Sequence, residues 1–222
     1  MRLRRKAGIK EILQQYPEIL YYEPECIKTK WVEVFANDNP IHVELGTGKG
    51  AFLTAMAAKN PKINYVGLER VPEVMWHAVR KSQEANLKKD NIRFVFGDAE
   101  KLGDYFAPEE IQRLYLNFSD PWPKNRHEKR RLTYPGKLRI YKKVLQDNAE
   151  IHFKTDNRGF FEYSLHTFAQ EGFSLRRITY DLHAGTEWEN LLGTDETAMT
   201  EYETRFVSLG EPICRCEALI PS

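Results

Sequence analysis

IHVELGTGKG, Ile41 to Gly50, runs a short apolar strand into an acid and then sets glycines at 46, 48 and 50. Ile41–Leu45 reads as a buried strand and Ala51–Lys59 as the helix that follows it. Glycines between a strand and a helix let backbone approach a ligand closely, so Gly46 and Gly48 are candidate binding positions. The turn is not a G-x-x-x-x-G-K-[ST] phosphate loop, because Lys49 is followed by Gly50. Nor is it the G-x-G-x-x-G dinucleotide fingerprint, because its third glycine comes one residue early.

Downstream the pattern repeats. Tyr65–Leu68 reads as a second strand followed by a helix over Glu73–Lys88, with Val71, Met75, Ala78 and Val79 at helical spacing. Ile92–Phe96 and Leu114–Phe118 are the third and fourth strands, Lys137–Leu145 a helix, Ile151–Phe153 a fifth strand and Phe160–Gln170 a helix. The end reads as strand-rich, with Leu175–Asp181 and Arg205–Leu209 continuing toward Leu219. Strands alternating with helices predict an α/β fold with a mostly parallel sheet and helices on both faces. Consecutive late strands predict an antiparallel edge. Upstream, residues 1–40 form a basic, Pro-punctuated arm with a short apolar stripe at Leu13, Tyr16, Leu20 and Tyr21; residues 41–222 read as one domain.

In such a sheet, ligands gather at the carboxyl ends of the strands. An acid stands at or just past each of the first five: Glu44, Glu69, Asp98, Asp120 and Asp156. One such acid is ordinary helix capping, but five in register exceed it. Glu69, after strand two, is placed to accept hydrogen bonds from ribose hydroxyls. An acid-rich pocket repels phosphate and welcomes a cation, which favours S-adenosylmethionine over NAD or ATP.

The second informative stretch is SDPWPKNRHEKRR, Ser119 to Arg131. It places Asp120 on a stiff Pro-Trp-Pro turn and then enters a cationic run. From Lys124 to Lys143 there are nine basic residues against one acid, Glu128, whereas the whole chain carries only +1. Concentrated positive charge is the footprint of a nucleic-acid contact; the competing reading is a solvated helix face. Trp122 either stacks on a base or locks its loop. His42 and His152 fall within strands and read as core or face residues, while His127 sits in the basic run.

The composition, 41% apolar and 29% charged over 222 residues, suits a globular domain. The start has no apolar run for a signal peptide, and Glu11 and Glu18 argue against a transit peptide. Three cysteines, Cys26, Cys214 and Cys216, fit a reducing cytoplasm. The Cys214/Cys216 pair lacks a second pair at ligand spacing and reads as strand, so no metal is expected. His183–Met199, with Glu187, Trp188 and Glu189, reads equally as a lid or as an ordinary loop.

ELGTGKG, the acid after strand two, Gly97-Asp98-Ala99 and the SDPWPKxRHxKRR segment together resemble the bacterial tRNA (guanine-N7-)-methyltransferases of the TrmB type. The likeness runs from about residue 40 to the C-terminus. It implies a Rossmann-like class I methyltransferase, with a seven-stranded, mostly parallel sheet containing one antiparallel strand. It also implies S-adenosylmethionine as cofactor and N7 of a guanosine in the tRNA variable loop as target. Glu44, Glu69, Asp98 and Asp120 match cofactor contacts, and Asp120 matches the active-site acid. Lys124 and Asp156 match substrate contacts, as does the motif Thr200, Glu201, Tyr202 and Glu203. Arg126, His127, Glu128, Lys129, Arg130 and Arg131 match an RNA-interacting stretch. Without the resemblance, Tyr202 and Glu203 read as helix end or loop surface. Two other functions fit the bare residues: methylation of a different substrate, and RNA binding on a catalytically silent fold.

Overall fold

The computed structural model describes residues 8–22, 27–85, 87, 90–184 and 198–220. Strand β2 (Ile41–Leu45) lies at the centre of the sheet. From it the chain winds outward through α3 (Ala51–Lys59), β3 (Asn64–Glu69), α4 (Pro72–Glu84) and β4 (Ile92–Phe96). It then returns to the other side of β2 as β5 (Ile111–Asn117) and continues to β6 (Leu145–Thr155). These five strands are parallel neighbours in the order β4-β3-β2-β5-β6, so their carboxyl ends form one edge. The reversal between β2 and β5 creates the crevice in which open α/β sheets bind ligands.

β7 (Ser174–Thr179) and β8 (Cys214–Leu219) complete that side, with β8 inserted antiparallel between β6 and β7. The single antiparallel strand is the one the family resemblance implies, and its pairing with β7 is the antiparallel edge read from the late strands. The strand count differs. Leu20–Tyr22 (β1) pairs in parallel with β4 and makes the sheet eight-stranded. At three residues, β1 is too short to show an alternating pattern of its own.

Two apolar layers cover the sheet. One packs α2 (Trp31–Phe35), α5 (Leu102–Tyr105), α6 (Pro135–Val144) and α7 (Arg158–Gln170) against side chains such as Val43 and Leu45. The other packs α1 (Ile9–Leu13), α3 and α4 against Tyr65 and Phe94. Residues upstream of 41 thus join both layers, through Trp31 and Phe35 on one face and Leu13 and Leu20 on the other. Cys214 and Cys216 are free, buried strand residues, and His42 is a core residue held by Tyr115 and Gln112. Cys26, residues 1–7 of the basic arm and residues 185–197 of the connector, with Glu187, Trp188 and Glu189, lie outside the described residues.

One expected strand is a helix. Residues Glu201–Ser208 form α8, whereas Arg205–Leu209 reads from sequence as strand. The cause is a capping box: the Thr200 hydroxyl accepts from the Glu203 amide at 2.9 Å, and the Glu203 carboxylate accepts from the Thr200 amide. T-x-x-E is a helix-start signature, and Tyr202 stacks on Phe206 one turn later, 4.3 Å between ring centroids.

Candidate active site

The crevice begins at the turn after β2. Gly46, Gly48 and Gly50 all take left-handed backbone, φ 74°, 59° and 75°, a conformation that L side chains resist. A Cβ on Gly50 would lie 2.9 Å from Cβ of Ala78, so this glycine also sets the contact between the turn and α4. Gly46 has open space around its missing Cβ and lines the crevice.

Glu44 is buried at the end of β2. Its two oxygens accept from the Thr47 hydroxyl at 2.7 Å and the Asn117 amide at 2.8 Å. Burial pushes its pKa up to about 7, against the pull of those two donors and of Lys154. Glu69 closes β3 and accepts three backbone N–H bonds, from Gly48 at 3.2 Å and from Arg70 and Val71 at 2.9 Å. Burial raises its pKa as well, against these same bonds. Asp98, after β4, accepts from the Glu100 amide at 2.9 Å and faces Arg70 at 3.6 Å.

Two adjoining cavities open along this edge. The larger, about 260 Å³, meets Glu69, Asp98, Asp120 and Trp122; the smaller, about 160 Å³, meets Glu44, Asn117, Phe52 and Tyr202. Gly46 and Phe118 border both. Four of the five strand-end acids therefore line one composite crevice. Asp156 stands outside the walls of both cavities but is close enough, with Asp120, to raise the pKa of Tyr202 beyond what burial does.

The Asp120 loop is strained. Phe118 and Trp122, neither of them glycine, have φ of 51° and 40°. Asp120 between them is exposed. Arg130 covers the Trp122 ring at 4.8 Å, and the His127 ring meets it edge-on at 5.7 Å. Lys124, Arg126 and Lys129 project outward as exposed residues.

The basic run is thus divided. Arg131 turns inward onto the loop. Lys137 is buried against the Arg130 carbonyl and Glu100, Arg139 pairs through two hydrogen bonds with Glu171, and Lys142 caps the carbonyl of Glu171. Charge counting along the chain treats all nine cations alike; about half of them serve the fold.

The late motif is divided too. Glu201 and Tyr202 are exposed, but Glu203 is 1% exposed and its carboxylate accepts from Lys154 at 2.7 Å and contacts His183 at 3.1 Å. Burial opposes ionisation of Glu203, yet Lys154 and His183 hold its carboxyl below the ordinary value. Sequence reasoning missed Thr47, Asn117 and Lys154. Asn117 had a legible signal as the polar last residue of an apolar strand; Lys154, inside a strand, had none.

The residues fit a cationic cofactor. Asn117 Oδ1 and Ser119 Oγ are buried acceptors without a protein partner among the described residues, and both residues sit on the crevice wall beside Glu44 and Asp120. A ligand carrying an ammonium or hydroxyl groups would satisfy them. A second cluster, Glu150, His152 and Glu217, has metal-ligand spacing. It is already neutralised by Arg113, Arg176 and Arg215, which suits an ion-pair network at the β6–β8–β7 side.

Residues 38–216 match the family model Methyltransf_4, described as "Putative methyltransferase". The chain is 51% identical over 218 residues to the tRNA (guanine-N(7)-)-methyltransferase of Streptococcus mutans, covering 98% of this chain and 99% of that protein. It is 50% identical over 221 residues to the protein of the same name from a Geobacillus strain, covering 100% and 96%. Among solved structures, the 16S rRNA methyltransferase KamB superposes with a TM-score of 0.63 at 15% identity, over 87% of this chain and 94% of that one; at that identity the match speaks for the fold. The glycine turn, the acids that line the crevice and near-complete alignment with these relatives make the chain a member of the tRNA (guanine-N7-)-methyltransferase family.

Proposed function

We propose that this enzyme methylates N7 of a guanosine in the variable loop of tRNA, with S-adenosylmethionine as donor and Asp120 as its active-site acid. The observation that carries the site assignment is the position of Asp120: it lines the acid-walled cavity and begins the loop that leads directly into Lys124, Arg126 and Lys129. Half identity across the whole chain sets aside a small-molecule substrate and a silent RNA-binding module.

Bound in the crevice, S-adenosylmethionine supplies an electrophilic methyl group on a sulfonium. Glu69 offers lone pairs for the ribose hydroxyls, and its three backbone donors keep the carboxylate oriented. Glu44 and the free Oδ1 of Asn117 would hold the ammonium. Guanine N7 has a lone pair and no proton, so no residue is required as base. Asp120 and Asp156 instead favour the positive charge that develops on the purine. In A-form RNA the N7 edge faces a groove too deep and narrow for side chains, so the target must come from a loop or leave its stack. Exposed Tyr202, packed on Phe118 at 5.2 Å and on Phe206, offers the aromatic wall for such a base.

The test is methyl transfer from labelled S-adenosylmethionine to unmodified tRNA, followed by digestion to nucleosides. Label in 7-methylguanosine from the variable loop is expected; label in another nucleoside overturns the target. Asp120→Asn should bind both ligands and lose turnover.

A further inference from the structure

We infer that Arg131 is a positioning residue for the Asp120 loop and not a tRNA contact. Its Nε donates to the carbonyl of Pro121 at 2.9 Å, and one terminal nitrogen donates to the carbonyl of Trp122 at 3.2 Å. These are the two residues directly after Asp120. The guanidinium lies over the ring of Tyr163 on α7, 4.1 Å from ring centre to Cζ, which fixes it to the body of the fold. Trp122 carries left-handed backbone without being glycine, so the loop needs an outside restraint to stay as it is. A planar fork can engage two neighbouring carbonyls at once, and a lysine ammonium cannot reproduce that geometry. The contrast lies within the same run: Arg126 and Lys129 are exposed, with neither a hydrogen bond nor an ion pair among the described residues. The segment therefore holds two kinds of cation, outward ones free for phosphate and an inward one that clamps the loop.

The inference rests on the reading of Asp120 as the active-site acid, and the experiment separates the two. Arg131→Lys keeps the charge and loses the fork. With tRNA saturating, its turnover should fall about 100-fold, the scale of a misplacement near 1 Å. Its tRNA Kd, and the slope of log affinity against log salt, should match those of the unaltered protein. Arg126→Ala should do the reverse for binding, weakening tRNA and lowering that slope by about 1. Tyr163→Leu removes the platform under Arg131 without altering charge, and should repeat the loss of turnover with the salt slope unchanged. An Arg131→Lys protein that turns over normally would overturn the clamp, whatever Tyr163→Leu does. So would an Arg131→Ala protein that loses salt slope as Arg126→Ala does. Asp120→Asn run alongside tells which reading failed: full turnover there removes the active-site assignment itself, whereas its loss beside an active Arg131→Lys removes only the clamp.

Discussion

Two turns at the same edge of the sheet present carboxylates to the same crevice, and they are built in opposite ways. The turn after β2 reaches left-handed backbone with glycines at 46, 48 and 50, and its neighbouring acid, Glu44, is held by Thr47 three residues away and by Asn117 on the adjacent strand. The turn after β5 reaches left-handed backbone with Phe118 and Trp122, and depends on Arg131, Arg130 and His127 to stay there. Glycine makes the first conformation cheap wherever it occurs. The second costs on the order of 1–3 kcal/mol per strained residue and persists only where surrounding contacts impose it. Glycine writes the first conformation into the turn itself, whereas the second is imposed by side chains that follow it and, through Arg131, by Tyr163 on α7.

The largest test concerns the side of the crevice that relies on distant partners. Glu203→Gln leaves the Lys154 ammonium buried without its counter-charge, and should destabilise the fold by about 3–5 kcal/mol in urea unfolding. Replacing both members, as Lys154→Met with Glu203→Leu, should recover most of that loss. If the single and double variants lose the same stability, the loss comes from the Glu203 bonds to Thr200 and His183 and not from an unpaired Lys154.

On the glycine side, Gly50→Ala combines left-handed alanine with a 2.9 Å approach to Ala78 and should cost about 2–4 kcal/mol. Gly46→Ala meets no atom within 4 Å among the described residues, and should cost only the backbone strain, about 1–2 kcal/mol. Equal losses at the two positions would mean that backbone strain alone, and not packing on α4, governs this turn.

Glu44 gives the comparison a pH dependence. Its folded pKa near 7 lies above the ordinary carboxylate value, so the folded protein binds a proton there that the unfolded chain releases between about pH 4.5 and 7. Its contribution to stability is present below that window and declines as pH rises through 7. A cationic cofactor favours the ionised form, so cofactor affinity should rise with pH up to about 7, with proton release on binding in calorimetry. Glu44→Gln should flatten both profiles. The smallest effect belongs to the outermost cations: Lys129→Ala should reduce the salt slope of tRNA binding by about 1 and leave stability within about 0.5 kcal/mol.

Most of the sheet was legible because its strands are short, apolar and bounded by acids or glycines. Where reading along the chain failed, the controlling partner was remote or the element was minimal. Arg205–Leu209 looked like strand because Phe206, Val207 and Leu209 crowd apolar side chains, the first two β-prone, into five residues, although Thr200 and Glu203 already spelled a helix start. β1 is three residues, given its identity by pairing with β4. Lys137 and Arg139 looked like members of a phosphate-binding patch, because nothing near them in sequence announces Glu100 or Glu171 as their partners.

From its sequence alone this protein had its strand order of acids, its glycine turn, its concentration of positive charge and its family. Each depends on residue type at short spacing, which one-dimensional order preserves. Only the tertiary structure decided which cations face solvent and which brace the loop, which acids share one crevice, and why Glu203 is buried with Lys154. Those outcomes depend on burial and on which side chains meet in space: the reversal between β2 and β5 gathers the acids, α8 brings Glu203 to Lys154, and Arg131 folds back on its own loop. Charge and spacing nominate residues for the chemistry; burial and hydrogen-bond geometry divide them between chemistry and support.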